Sequence, residues 1–343
     1  MSQLTDLEPV ATEPGPQSSR GARVGRRIWN SSRRARPVLA VDVVLVLVFA
    51  VTQPMFLDRD NLLNLLVSTS VLAVISIGQT FVLLGGAADL SVSAIATLSG
   101  YLLGKALAAH VPAGLALAAT LLFGTALGAV VNGFLVGRLR LSFLVVTLAS
   151  MTAFTGAVNL WSDTKSVFVT DDVVAAIARD DFFGVPAPLW VTGLVILVAA
   201  YIQNFTMYGR DIYAVGGNQA AARLSGIRVE RVVIGIFAWA GLCSAIGGLL
   251  VVGQIGVASP TVDANLPLMT IAAVFLGGAS LAGGAGGVGG TVLGVVFLGV
   301  LQNGLSLAGI PSFWQQVLTG AILVLAVLGD RLSGKRLRLR RTT

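Results

Sequence analysis

Residues 229–254 read VERVVIGIFAWAGLCSAIGGLLVVGQ. After Glu230 and Arg231 this run carries no charge, and ~20 apolar residues suffice for a helix to cross the hydrocarbon core of a bilayer. It reads as a membrane-crossing helix with its charged start at one surface. The remainder of the chain is written alike. Of 343 residues, 55% are hydrophobic and 11% charged, there are 41 Gly, and the mean hydropathy is +0.86. A soluble chain carries roughly 25% charged residues, and a protein of this length cannot hide so much apolar surface, so a water-soluble enzyme is excluded. Glycines without a fixed period, in so apolar a chain, exclude collagen-like and disordered classes. The single Cys243 cannot form an internal disulfide.

The same criterion marks spans at 37–56, 62–84, 91–109, 112–136, 141–161, 187–206, 229–254, 266–282, 287–308 and 313–329. The expected fold is an all-α polytopic bundle of about ten spans, with 37–330 as the membrane domain. Breaks fall at Asp58-Arg59-Asp60, Gly85-Gly86, His110-Val111-Pro112, Arg138 to Arg140, the polar stretch 162–186, Pro260, Gly283 to Gly290 and Pro311. The third and eighth spans are short or rich in small residues. Residues 1–36 combine Pro, Gly, Ser, Glu and Arg with little apolar content and read as a disordered basic tail. Residues 331–343 form a second basic tail.

Charge placement sets the orientation. Of the 23 Lys and Arg, 7 lie between Arg20 and Arg36 and 6 between Arg331 and Arg341. With both termini cytoplasmic, 19 of the 23 fall inside, the others there being Arg138, Arg140, Arg210, Arg223, Arg228 and Arg231. The stretch 162–186, then external, holds Asp163, Asp171, Asp172, Asp180 and Asp181. Positive charge inside and an even span count agree, and Trp161, Trp190 and Trp314 fall at outer ends, where an aromatic belt sits. No aromatic residues interleave the basic runs as a nucleic-acid platform requires. Ser32-Arg33-Arg34 lacks the cleavage site of an export signal and reads as a positive-inside anchor.

Short strings recur in order. Val82-Leu83-Leu84-Gly85-Gly86-Ala87 is echoed by Val274-Phe275-Leu276-Gly277-Gly278-Ala279, Gly124 to Gly128 by Gly290 to Gly294, Asn132-Gly133 by Asn303-Gly304, and Ser142-Phe143 by Ser312-Phe313. The offset falls from 192 at the first pair to 166–171 afterwards, as if one helix, roughly the third, were extra in the first half. Duplicated halves are common in transporters. The Gly pairs fall on one side and the Asn-Gly pairs on opposite sides, so either the third span is not a true crossing or the repeat is partly inverted.

The longest internal polar segment is Met207 to Arg231. Within it Asn218 suits an N-cap, Gln219 to Ser225 favour helix, and Gly226 suits the closing position. A two-turn helix cannot stabilise itself in water, so it needs something to dock into; a plain connector on the membrane surface is the alternative reading.

This segment also carries a resemblance. Tyr213-Ala214-Val215-Gly216-Gly217-Asn218, followed by Ala221-Ala222-Arg223-Leu224-Ser225-Gly226-Ile227, resembles the cytoplasmic coupling loop of ribose-type ABC importer permeases. Gly85-Gly86-Ala87-Ala88-Asp89-Leu90-Ser91 is similar to that family's Gly-Gly-x-Asp-Leu-Ser signature. Ile271-Ala272-Ala273 with Leu276-Gly277-Gly278-Ala279-Ser280-Leu281 resembles a third block, and Asn303-Gly304, Phe313-Trp314-Gln315 and Asp330 a fourth. Pro267 stands where the family usually has Glu, and Ser93 where it has Gly, which loosens any transfer of substrate identity. The resemblance implies an inner-membrane permease subunit working with a second permease copy as a homodimer, together with a cytoplasmic ATPase that holds ATP and Mg and an extracytoplasmic sugar-binding protein. Gly217, Asn218, Ala221, Ala222, Arg223, Ser225 and Gly226 would then face the ATPase. No Gly-x-x-x-x-Gly-Lys-[Ser/Thr] string occurs in this chain, so no cofactor is expected on it.

Candidates for the pathway or its gate are Gln79, Gly85, Gly86, Asp89, Ser91, Asn132, Gly277, Gly278 and Asn303. Asp89 is an acid at a break between spans; an intramembrane ionisable group is a functional candidate, while capping of the third span is the structural alternative. Gly284 to Gly289 fits Gly-x-Gly-x-x-Gly without the strand and acid of a dinucleotide site. With one His, one Cys and no paired carboxylates in the spans, no catalytic or metal cluster is expected. The alternative to an importer subunit is an ion-coupled secondary carrier.

Overall fold

A computed structural model describes residues 38–280 and 282–339. The tail 1–36 lies outside the described residues. The helices are α1 (Val38–Thr52), α2 (Arg59–Leu84), α3 (Val92–Ala108), α4 (Ala113–Gly137), α5 (Phe143–Ser162), α6 (Asp172–Ala178), α7 (Ala187–Phe205), α8 (Met207–Gly217), α9 (Gln219–Leu224), α10 (Val229–Ile255), α11 (Leu266–Leu276), α12 (Val288–Leu307) and α13 (Ser312–Leu339). The chain is an all-α membrane bundle, and each apolar stretch of the sequence carries a helix. Helices α2, α4, α5, α7, α10 and α12 are long and apolar enough to cross a membrane, whereas α1, α3 and α11 are shorter. At 1.5 Å per residue, the 11 residues of α11 rise roughly 16 Å, about half a hydrocarbon core. The last helix runs on to Leu339, beyond the expected end at 329, because the basic tail holds no proline to stop it.

Helix α10 is the hub, packed on α2, α3 and α4. Backbones approach closely here because side chains are missing. A Cβ on Gly128 would lie 2.2 Å from the carbonyl oxygen of Phe237, and one on Gly241 would lie 2.2 Å from that of Gly124. Without a hydrophobic drive between helices in lipid, such close van der Waals contact is what holds spans together.

The packing contains an internal correspondence. Helix α3 packs on α10, α4 and α5, as α11 packs on α2, α12 and α13, and α4 packs on α10 as α12 does on α2. Helices α2 to α5 thus correspond to α10 to α13. The two sets run in opposite senses. Leu84 at the end of α2, Gly137 at the end of α4 and Glu230 at the start of α10 meet one set of loops, through Gly216, Gly284 and Tyr208. The repeat is therefore inverted, as in many transporters, and the extra helix expected in the first half does not exist. The Val82–Ala87 and Val274–Ala279 echo lies outside this correspondence. Its two strings are the same helix stop used twice: Ala87 N–H donates to Val82 C=O and Gly86 N–H to Leu83 C=O, as Ala279 donates to Val274 and Gly278 to Phe275. Both are Schellman closures, with Gly86 at φ +82 and Gly278 at φ +85.

At the opposite end, the stretch 162–186 is folded rather than loose. Strand β1 (Val167–Phe168) pairs antiparallel with β4 (Val257–Ala258), and β2 (Asp181–Phe182) pairs with β3 (Val185–Pro186). Asp171 caps α6 by accepting the N–H groups of Val173 and Val174. The Arg179 Nε–H donates to the Gly253 carbonyl at 2.6 Å, tying this end to α10. Trp161, Trp190 and Trp314 stand partly or fully exposed at the same end.

A side chain at Gly128 must separate α4 from α10. Gly128→Val should lower the unfolding midpoint of the detergent-solubilised protein, with a loss of about 1–3 kcal/mol. Gly114→Ala, with open space around its Cβ position, should leave it unchanged; equal midpoints for the two variants would rule out this contact as a source of stability.

Candidate functional site

Between α7 and α10 the chain builds a two-helix projection. Thr206 caps α8 by accepting the N–H of Gly209 at 3.1 Å, and Asn218 caps α9 by accepting that of Ala221 at 3.0 Å. Gly226 closes α9 at φ +81, where its N–H donates to Arg223 and that of Ile227 to Ala222. The expected Asn218 cap and Gly226 stop are both present. Helix α8, absent from the sequence reading, is half-buried and anchored: the Tyr208 hydroxyl donates to the Val232 carbonyl at 3.0 Å, and burial pushes that phenol's pKa upward. Gly217, Asn218, Ala221, Arg223, Ser225 and Gly226 are exposed, whereas Ala222 turns inward and is buried. Leu224 is 91% exposed at the tip.

The end of α8 is wedged between the two Gly-Gly turns. A Cβ on Gly216 would lie 1.8 Å from the Leu84 carbonyl oxygen and 2.7 Å from Gly284 N. That carbonyl accepts the Gly284 N–H at 2.9 Å, and the Tyr213 hydroxyl donates to the Gly286 carbonyl at 2.8 Å. Gln203 of α7 adds a further tie, its Oε1 accepting the N–H of Val288, the first residue of α12, at 2.7 Å. A displacement of α8 therefore bears directly on the end of α2 and the start of α12. Gly85 and Gly277 serve this junction by close packing, against Ile236 and Gly290 respectively. Gly216, Gln203 and Gly284 were not singled out as a group by the sequence, because no local pattern links three distant segments.

Asp89, Ser91 and Asn132 come together. The Asp89 carboxylate accepts the Ser91 N–H at 2.8 Å and the Ser91 hydroxyl at 2.6 Å, while Asn132 Nδ2 donates to the Ser91 Oγ at 2.7 Å and approaches both carboxylate oxygens at 3.3–3.4 Å. All three are fully buried. Asn132 reaches them from a π-helical stretch, Leu127–Gly133, that rotates its side chain out of the regular α4 register. Asp89 does not cap α3 itself; it holds the segment that enters α3 against α4. It lines none of the three cavities described below.

The remaining candidates divide. Asn303 makes a reciprocal amide pair with Asn61, at 2.9 and 3.1 Å, bracing α12 on α2. Gln79 is fully buried, and neither its Nε2 nor its Oε1 has a hydrogen-bond partner among the described residues. Away from the α8–α9 projection, between α2, α11, α12 and α13, lie adjoining cavities of about 350 and 400 Å³ that share Met269, Gln302 and Gln315. Among the described residues no group of His, Cys, Asp and Glu is placed to hold a metal.

This arrangement of broken helices, inverted halves and a loop pair gripping both halves is that of a transport subunit, and the comparisons agree. The family described as branched-chain amino acid transport system / permease component matches residues 61–327. The chain belongs to that permease family. It is 36% identical to the ribose import permease protein RbsC of Escherichia coli strain K12 over 92% of this chain and 98% of the relative. It is 38% identical to that of Bacillus subtilis strain 168 over 84% and 90%, and 34% identical to the L-arabinose transport system permease protein AraH of E. coli over 91% and 94%. No solved structure matches. The protein is a multi-pass membrane permease subunit rather than an enzyme.

Asn132→Leu would leave the buried Asp89 carboxylate with Ser91 alone and should destabilise the permease by about 1–3 kcal/mol. Adding Asp89→Leu should recover part of that loss, since removing both partners orphans no charge. Strict additivity of the two losses, measured by thermal unfolding in detergent, would mean the groups do not interact.

Proposed function

We propose that this chain forms the translocation pathway of a bacterial ABC importer for a monosaccharide or similar polyhydroxylated solute. It sits in the cytoplasmic membrane with both termini inside. Two copies enclose the pathway, and an extracytoplasmic binding protein delivers the sugar at the β1–β4 end. A separate cytoplasmic ATPase, holding ATP and Mg, docks on segment 207–231. The chain then crosses the membrane about ten times, with α11 and its approach through Pro260 to Asn265 making one passage between them. The ribose and arabinose permeases among the relatives support a sugar as the solute.

The observation that carries this reading is the projection α8–α9. Its tip offers an apolar knob, Leu224, to water, and its base is locked by Gly216 against the Leu84 carbonyl and Gly284. A short helix with an exposed leucine gains stability only when a partner covers it. ATP-driven closure of the partner pair would push α8 against the turn after α2 and the turn before α12, one from each inverted half. The halves then move relative to each other and the pathway changes the side to which it opens.

Leu224→Asp should insert and purify normally but lose stimulation of the partner ATPase and ATP-driven uptake, both by at least tenfold, the scale of one interface anchor. It is a cleaner test than Gly226→Asp, since Gly226 sits at φ +81 and any side chain there strains the backbone. Gly216→Ala, which clashes at the base and spares the tip, should retain the ATPase partner and lose uptake. ATPase stimulation at the level of the unmodified protein with Leu224→Asp would remove α9 as the docking element.

A further inference from the structure

The outer parts of three helices carry uncharged polar residues at helical spacing. On α2 these are Asn61, Asn64 and Ser68; on α12, Gln302, Asn303 and Ser306; on α13, Ser312, Gln315, Gln316 and Thr319. Separations of three, four and seven residues put each set on one helix face. Polar groups in a span are costly unless they pair or line a water-filled space. Ser68 of α2 and the α12 and α13 sets line the adjoining cavities of about 350 and 400 Å³, which meet at Met269, Gln302 and Gln315, while Asn61 pairs with Asn303. A wider vestibule of about 780 Å³, lined by Asp60, Asn64, Arg179 and Asp181, adjoins them through Ser68.

We propose that these two joined cavities are the solute subsite of the subunit, taking an uncharged polyhydroxylated molecule on the carboxamides of Gln302 and Gln315. The proposal rests on the importer reading above and names the chemistry of its pathway. Gln302 is half-buried, and the contact recorded for its amide is a weak one, Nε2 to Met269 Sδ at 3.9 Å. Gln315 is steadied by donating to the Ser306 hydroxyl at 3.1 Å and the Ile310 carbonyl at 3.2 Å, which leaves its carbonyl oxygen for a ligand. A carboxamide both donates and accepts, as a hydroxyl does, so a ring of carboxamides and hydroxyls matches a polyol in any rotation. Each lobe is within the volume range of about 300–1,000 Å³ usual for small-molecule sites.

The lining also says what is refused. Among the described residues, Asp263 is the only charged side chain that lines either lobe. A zwitterion such as an amino acid would need a cation for its carboxylate, and none of the described lining residues supplies one, so the site selects against amino acids although the family's description names them. Among the described residues no aromatic ring lines either lobe, so hydrogen bonds, not stacking, orient the solute. Weak, divided holding is what passage requires, since a site that binds tightly does not release. Inward of Leu72 the face of α2 is buried without interruption to Gly85, so the lobes are open toward the vestibule and shut toward the α8–α9 end. Ser76 and Gln79, whose buried side-chain polar atoms have no partner among the described residues, follow along α2, Gln79 roughly 10 Å further in than Leu72.

Cys243 is fully buried, so the unmodified chain is a silent background for thiol labelling. In proteoliposomes holding the whole importer, Gln302→Cys and Ser306→Cys should each react with a small water-soluble thiol reagent. D-ribose or L-arabinose at millimolar concentration should slow that reaction several-fold, and L-leucine should not. Phe183→Cys, on the exposed β2–β3 turn, should react at one rate throughout. Gln302→Leu should lower sugar uptake about tenfold, the worth of one or two neutral hydrogen bonds, with Gln302→Asn retaining part of it. Absence of labelling, labelling indifferent to both sugars, or protection by leucine alone would each overturn the subsite. Uptake by the unmodified importer in the same vesicles separates the two readings. ATP-driven sugar uptake without protection removes the subsite and keeps the importer, whereas protection without uptake does the reverse.

Discussion

Everything in this fold leans on the closeness with which α10 meets its neighbours. At Gly241 and Gly248 its backbone comes within reach of the backbones of α4 and α3, so near that a methyl group would lie 2.2 Å from the Gly124 carbonyl oxygen or 2.1 Å from that of Ala96. In lipid, burial of apolar side chains contributes little between helices, and such contacts replace it. They also fix the translation and rotation of α3 and α4, and with them the position of the π-helical stretch that carries Asn132. The Asp89–Ser91–Asn132 group is therefore a consequence of glycine packing some distance away. The buried carboxylate is tolerated because that packing delivers its donors.

The inverted correspondence gives the coupling geometry a reason. Helices α2 and α12, one from each half, meet beside the end of α8, where Leu84, Gly216 and Gly284 share one small volume. Further along, Thr80 and Thr291 join the same two helices by a buried 2.7 Å hydrogen bond, and at the far end Asn61 and Asn303 join them again. The two helices are thus clamped at three levels. A push on α8 acts on a rigid pair rather than on a loose turn, which is the requirement for carrying a local movement across a membrane.

The polar faces of α2, α12 and α13 lie on the other side of this clamp. Their spacing is visible along the chain, yet each stripe alone has two readings, a brace or a lining. Asn303 braces α2 while it borders a cavity, and Gln302, its neighbour, makes only a weak contact and lines both lobes. Adjacent residues on a helix are turned about 100° apart, and only the placement of α2, α11 and α13 decides that Asn303 gains a partner side chain while Gln302 is left to the cavities.

The membrane class, the helical stretches, the Asn218 cap and the Gly226 stop were set by the sequence alone. Each depends on hydropathy, on charge or on groups within a few residues, and such local causes act wherever the chain goes. The inverted sense of the repeat, the wedge at Gly216, the inward turn of Ala222, the Asp89–Asn132 contact and the lobes around Gln302 were decided by tertiary structure. Apart from the turn of Ala222, these need segments 40 to more than 200 residues apart to meet, and in a chain so uniform in glycine, alanine and leucine many registers satisfy the local rules equally well. Only steric fit between particular glycines and particular carbonyls selects one of them.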